Sequence, residues 1–122
     1  MDKRVKEYTK DDVTYEKFGH TNEDGECRYI ITIHQELEQF EIAYANLYGR
    51  LEIELKDVLY STGFHIKNRN FTLHTEYLSE NQLKTLISEV IGCMNGIVKA
   101  HNMQVDVYKR LTKIRKEIIK AM

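Results

Sequence analysis

The 122-residue chain has no proline and no tryptophan, only two cysteines and six glycines. Without proline, no helix interior is interrupted by a missing N–H and a clashing ring, so long unbroken helices are open to it. The two thiols, Cys27 and Cys93, lie far apart with neither metal-ligand nor redox spacing. Reduced, core-facing cysteines are therefore expected rather than a disulfide framework. No apolar run approaches bilayer length, and no apolar signal-peptide core stands behind Met1-Asp2-Lys3-Arg4. A cytoplasmic chain without membrane contact is the expectation. Neither sign of charge is in excess, with 18 Lys and Arg against 19 Asp and Glu. A sequence-independent coat for nucleic acid needs a net basic surface, so any RNA contact must come from a local patch. Also missing are a Gly-rich phosphate loop, a His-Glu-x-x-His pair, a Ser nucleophile elbow and Cys/His metal spacing. No metal and no cofactor are expected.

What is present points to one globular domain over residues 1–122, with 30% charged and 42% apolar residues. Residues 1–12 are charged and weakly patterned, which suits a loose arm or a short helix. Val13 to Phe18 alternate apolar and polar as a short strand does, and Gly19 to Gly25 is turn chemistry. From Tyr29 the period changes. Ile30, Ile33, Leu37, Phe40, Tyr44, Leu47, Leu51, Leu55 and Val58 follow at steps of three and four, with charges on the other faces. The spacing predicts a helix over residues 26–61, with Gly63 as its left-handed C-terminal cap. Against it, the β-branched run Tyr29-Ile30-Ile31-Thr32-Ile33 can pair with residues 13–18 as a hairpin.

Ser79 and Gln82 have the spacing of a capping box and open a second helix over residues 80–101, striped by Leu83, Leu86, Ile87, Val90, Met94, Ile97 and Val98. Gly92 and Gly96 lie on its other side, four apart, where another helix could approach closely. At His101-Asn102 the apolar phase slips. A third helix over residues 105–121 is expected, with Val107, Leu111, Ile114 and Ile118 inward and a basic face of Lys109, Arg110, Lys113, Arg115, Lys116 and Lys120. The fold class expected is all-α, a bundle built on the long first helix. The alternative is α+β, with an N-terminal β-hairpin over residues 13–34 ahead of the helices.

Between the first two helical segments stands Lys67-Asn68-Arg69-Asn70-Phe71-Thr72-Leu73-His74-Thr75-Glu76-Tyr77. Arg69 offers a planar, always-charged fork for a phosphate. His74, five positions on, offers a group that exchanges a proton near neutral pH. Together they are the minimum equipment for metal-free cleavage of an RNA phosphodiester. Arg-Asn-x-x-x-His between long helices resembles the signature of the HEPN superfamily. These are small all-α domains, many of them metal-independent ribonucleases of toxin–antitoxin, abortive-infection and CRISPR systems. Some members have a Tyr two residues after the His; here that place holds Glu76, and Tyr77 comes one later.

The resemblance implies a toxin or phage-defence endoribonuclease. The ribose 2′-OH would attack the adjacent phosphorus, His74 would move protons, Arg69 would stabilise the transition-state charge, and Asn70 would orient His74 or a phosphate oxygen. Lys67, Asn68 and Tyr77 would contact substrate. One His does not readily act as both acid and base, so the resemblance implies a homodimer with Arg69 and His74 of each protomer in one cleft. An antitoxin or other protein partner fits the same picture. The competing reading of these residues is architectural: Arg69 and Asn70 cap the first helix and His74 is a satisfied, half-buried side chain. The competing function is a non-catalytic dimeric binding, adaptor or inhibitor protein that uses the long helix as its contact face.

Overall fold

The computed structural model describes residues 3–122, with backbone only at residues 48, 52, 61 and 62. The chain is α+β and not an all-α bundle. Strands β1 (Val13–Phe18) and β2 (Arg28–Ile33) form an antiparallel hairpin. Helices α1 (Leu37–Asn46) and α2 (Tyr48–Glu54) follow, then a second hairpin of β3 (Leu59–Lys67) and β4 (Asn70–Thr75), then one helix, α3 (Glu80–Ala121). The four strands make one sheet in the order β1-β2-β4-β3, antiparallel at every joint.

The expected helix over residues 26–61 is thus replaced at both ends by strand. At its start, Tyr29, Ile31 and Ile33 alternate with Arg28, Ile30 and Thr32, and only the first set is buried. Ile30 and Ile33 fit a helical step by coincidence; the period of two in a β-branched run wins because it buries three side chains on one face. The hairpin alternative describes residues 13–33 correctly. Helix survives only in the middle, and it bends at Leu47 between α1 and α2.

Gly63 is no helix cap. It lies within β3, where a Cβ would stand 2.6 Å from the His74 carbonyl oxygen and 2.9 Å from the Tyr60 backbone nitrogen. The β3–β4 register jumps there, from Leu59 opposite Thr75 to Phe64 opposite Leu73. Glycine is required because the bulged strand closes on its own backbone.

Helices α1, α2 and α3 pack on the sheet face that carries Tyr29, Ile31, Ile33, Phe64, Phe71, Leu73 and Thr75. Ile42, Ala43, Leu47 and Leu51 come from α1 and α2, and Leu83, Leu86, Val90, Met94 and Val98 from α3. The capping box opens α3 as expected: the Gln82 amide N–H donates to Ser79 Oγ at 3.1 Å, and the Ser79 N–H donates to Gln82 Oε1 at 2.8 Å. The expected break near residues 102–105 is absent, and α3 runs for 42 residues, about 63 Å of helical rise.

The N-terminal arm is docked rather than loose, and it ends in a short helix, a 3-10 turn at Lys10–Asp12 capped by Thr9. Asn102 pairs with the Val5 backbone, accepting from its N–H at 2.7 Å and donating to its carbonyl at 2.9 Å. One helical stretch earlier Asn95 does the same for Tyr8, at 2.6 and 2.8 Å. Val5 and Tyr8 are buried by this, and the two amides replace the neighbouring strand that the arm lacks.

Candidate functional site

The motif stretch folds as the second hairpin. Asn68 and Arg69 both have positive φ, 52° and 68°, and Lys67 pairs with Asn70 across them. These are the signs of a two-residue mirror-image turn, whose twist matches that of the strands it joins. Asn takes this conformation readily; Arg does so at some cost. Arg69, Asn68 and Lys67 are therefore an exposed loop tip, and neither Arg69 nor Asn70 caps a helix. Asn70 starts β4, and its Oδ1 accepts from the Gln35 N–H at 3.2 Å.

His74 lies at the far end of β4. It is five residue steps from Arg69, about 16 Å at the usual strand rise. Within one chain the two residues do not converge. His74 instead sits edge-on against two rings, Phe18 with centroids 4.6 Å apart and Tyr60 at 5.8 Å. Its Nε2 is buried and has no hydrogen-bond partner among the described residues.

Alternation along the strands puts Asn70, Thr72 and His74 of β4 on the sheet face that the helices leave uncovered. Arg28, Ile30 and Thr32 of β2 share that face, as do Thr14, Glu16 and Phe18 of β1. Thr14, Thr32, Thr72 and His65 stand in one row across all four strands. At the end of the face near His74, the Arg28 guanidinium lies between two rings, 4.2 Å from the Tyr60 centroid and 4.5 Å from that of Tyr77. Glu76 adds a carboxylate 3.6 Å from it. A cation between two aromatic faces is held by their quadrupoles, and a guanidinium also stacks on them as a plane. This arrangement fixes Tyr77, which remains 37% exposed, and Phe18, against His74, is 45% exposed.

Of the residues expected at the site, then, His74 and Tyr77 belong to one aromatic cluster. Lys67, Asn68 and Arg69 form a separate basic tip, and Asn70 ties β4 to the start of α1. Sequence reading missed Phe18, Arg28 and Tyr60. The signal for Arg28 was its position in the alternating run Arg28–Ile33, in phase with Ile30 and Thr32 and out of phase with the core residues. Tyr60 is placed by the bulge at Gly63, which has no simple sequence mark.

Among the described residues, no group of three or more His, Cys, Asp or Glu is placed to hold a metal ion. No helix among the described residues is long and apolar enough to cross a membrane. Comparison with protein-family models, with curated proteins and with solved structures gave no match.

Proposed function

We propose that this chain is a non-catalytic binding protein that takes single-stranded RNA on the open face of its sheet. The observation that carries the reading is the grouping of Phe18, Tyr60, His74 and Tyr77 around Arg28, on a sheet face without a helix over it. Unpaired bases stack on such rings whatever their identity, and a sheet face without a helix over it leaves the cluster open to a single strand. The threonine row offers hydroxyls for sugar and base edges. Lys67 and Arg69 at the hairpin tip offer charge to the phosphates, which suits a chain with no general basic excess.

Binding fits this geometry better than cleavage. A ribonuclease needs Arg69 and His74 at one phosphate, and they are about five strand residues apart. It also needs a proton-transferring nitrogen in reach of substrate, and of the two ring nitrogens of His74 one, Nε2, is enclosed. A HEPN-like cleft between two protomers would have to bring the hairpin tip of one copy to the ring cluster of the other.

The test is fluorescence anisotropy with a short labelled single-stranded RNA of mixed sequence. Two phosphate contacts give a log–log salt slope of about −1.4. Lys67→Ala and Arg69→Ala should each remove about half of that slope, while Tyr77→Ala should weaken binding at every salt concentration. The reading fails if the RNA shows no binding at low salt, or if all three variants bind as the parent does.

A further inference from the structure

The last third of α3 is built like an interface. From Leu111 to Met122 every residue except Thr112 is exposed, although Leu111, Ile114, Ile118 and Ile119 are 46–59% exposed apolar side chains. Val107, Leu111, Ile114 and Ile118 follow at heptad steps of four, three and four, which is a seam for another helix. The apparent phase slip at residues 101–102 now has a cause. Up to Val105 the apolar stripe faces the core; Val107 lies two residues, about 200° of helical turn, from it, so the second stripe emerges on the opposite side.

Followed back toward the sheet, that opposite side carries Met103, Ala100, Gly96 and Gly92. Met103, Ala100 and both glycines are exposed, and a Cβ built on either glycine meets nothing within 4 Å. One continuous face of α3 is thus large and apolar at its end and bare backbone nearer the body.

We propose that a second copy of this chain covers this face, with the two α3 helices antiparallel about a twofold axis near residues 103–105. Antiparallel pairing lays Leu111, Ile114 and Ile118 of each copy over the Gly92–Gly96–Ala100 surface of the other, large against small, twice by symmetry. Parallel pairing would set large against large and leave the glycines facing each other. Charge selects the same arrangement. Residues 106–121 hold six basic and two acidic side chains, net +4, so a parallel pair would juxtapose two such ends. Residues 36–57, which build α1 and α2 beside the body half of α3, hold six acidic and two basic, net −4. A groove of about 730 Å³ between α1 and α3 reaches Ala100 of this face and is lined by Leu37 and Ile97, with the carboxylates Glu38 and Glu41 and the cations Lys3 and Arg50 around it, so the acidic excess comes from residues 36–57 as a whole and not from the groove. The basic end of one copy therefore lies along the acidic flank of the other. The dimer rests on α3 and is independent of what binds the sheet face.

The test is light scattering and thiol crosslinking on the full chain. The protein should run at twice its 14.5 kDa chain mass at micromolar concentration. Leu111→Asp with Ile114→Asp should give a folded monomer whose melting temperature no longer rises with protein concentration as the parent's does, because both positions are exposed in the single chain and only the association is lost. In a Cys93→Ser background, Ile114→Cys alone should not crosslink under mild oxidant. Mixed with Gly96→Cys it should give a crosslinked dimer. A monomer at tens of micromolar overturns the proposal, and so does self-crosslinking of Ile114→Cys, which means parallel helices. A monomeric chain that floats with phosphatidylserine vesicles also overturns it and assigns the basic apolar helix to a membrane surface.

Discussion

The two faces of the sheet are made by the same strands and treated in opposite ways. Ile31, Ile33, Phe71 and Leu73 are at most 1% exposed, while their chain neighbours Thr32, Thr72 and His74 keep contact with solvent. One face meets three helices and is aliphatic and aromatic throughout. The other meets none among the described residues and mixes hydroxyls, rings and a clamped cation. A side-chain period of two lets a strand serve both at once, because each residue answers to only one face. Stability should reside on the covered face and recognition on the open one.

That division can be broken by mutation. The largest effect is expected on the covered face, where Leu73→Ala leaves a cavity among α3 side chains and should cost about 2–5 kcal/mol in a denaturant melt. Gly63→Ala comes next, since its Cβ must displace the backbone of Tyr60 or His74. Overcrowding of that kind costs about 1–3 kcal/mol. It should also disturb the Tyr60–Arg28–Tyr77 stack, visible as a changed near-ultraviolet tyrosine dichroism. Thr72→Val should do least, within about 0.5 kcal/mol of the parent, because it keeps a β-branched shape on a face with nothing packed over it. A Thr72→Val cost equal to that of Gly63→Ala would mean that the face is covered after all, and the comparison would fall.

The residues that misled the sequence reading did so for physical reasons. Ile30, Ile33, Leu37 and Phe40 satisfy a helical spacing although the first two are in a strand. A short β-branched run is compatible with both periods until its partner strand is known. The second hairpin was hidden because its turn is Asn68-Arg69 rather than Asn-Gly, so the strongest local turn signal is absent. That left Arg69, Asn70 and His74 looking like a motif between helices, when Asn70 to His74 is strand. The capping box at Ser79 was readable because it is local chemistry, satisfied within one turn. The phase slip near residue 102 was also real in the sequence. It marks a change in what the helix faces, from the body of its own chain to the outside, and not a break in the helix.

The proposed reading turns on whether the open face holds RNA, and holds it without cutting. The direct measurement is to incubate the full chain with labelled single-stranded RNA in EDTA, following anisotropy and strand length in the same sample. The account predicts salt-dependent binding with the strand intact, weakened by Tyr77→Ala. Cleavage that persists in EDTA and disappears in both Arg69→Ala and His74→Ala would contradict it and establish a ribonuclease built from residues about 16 Å apart along one strand.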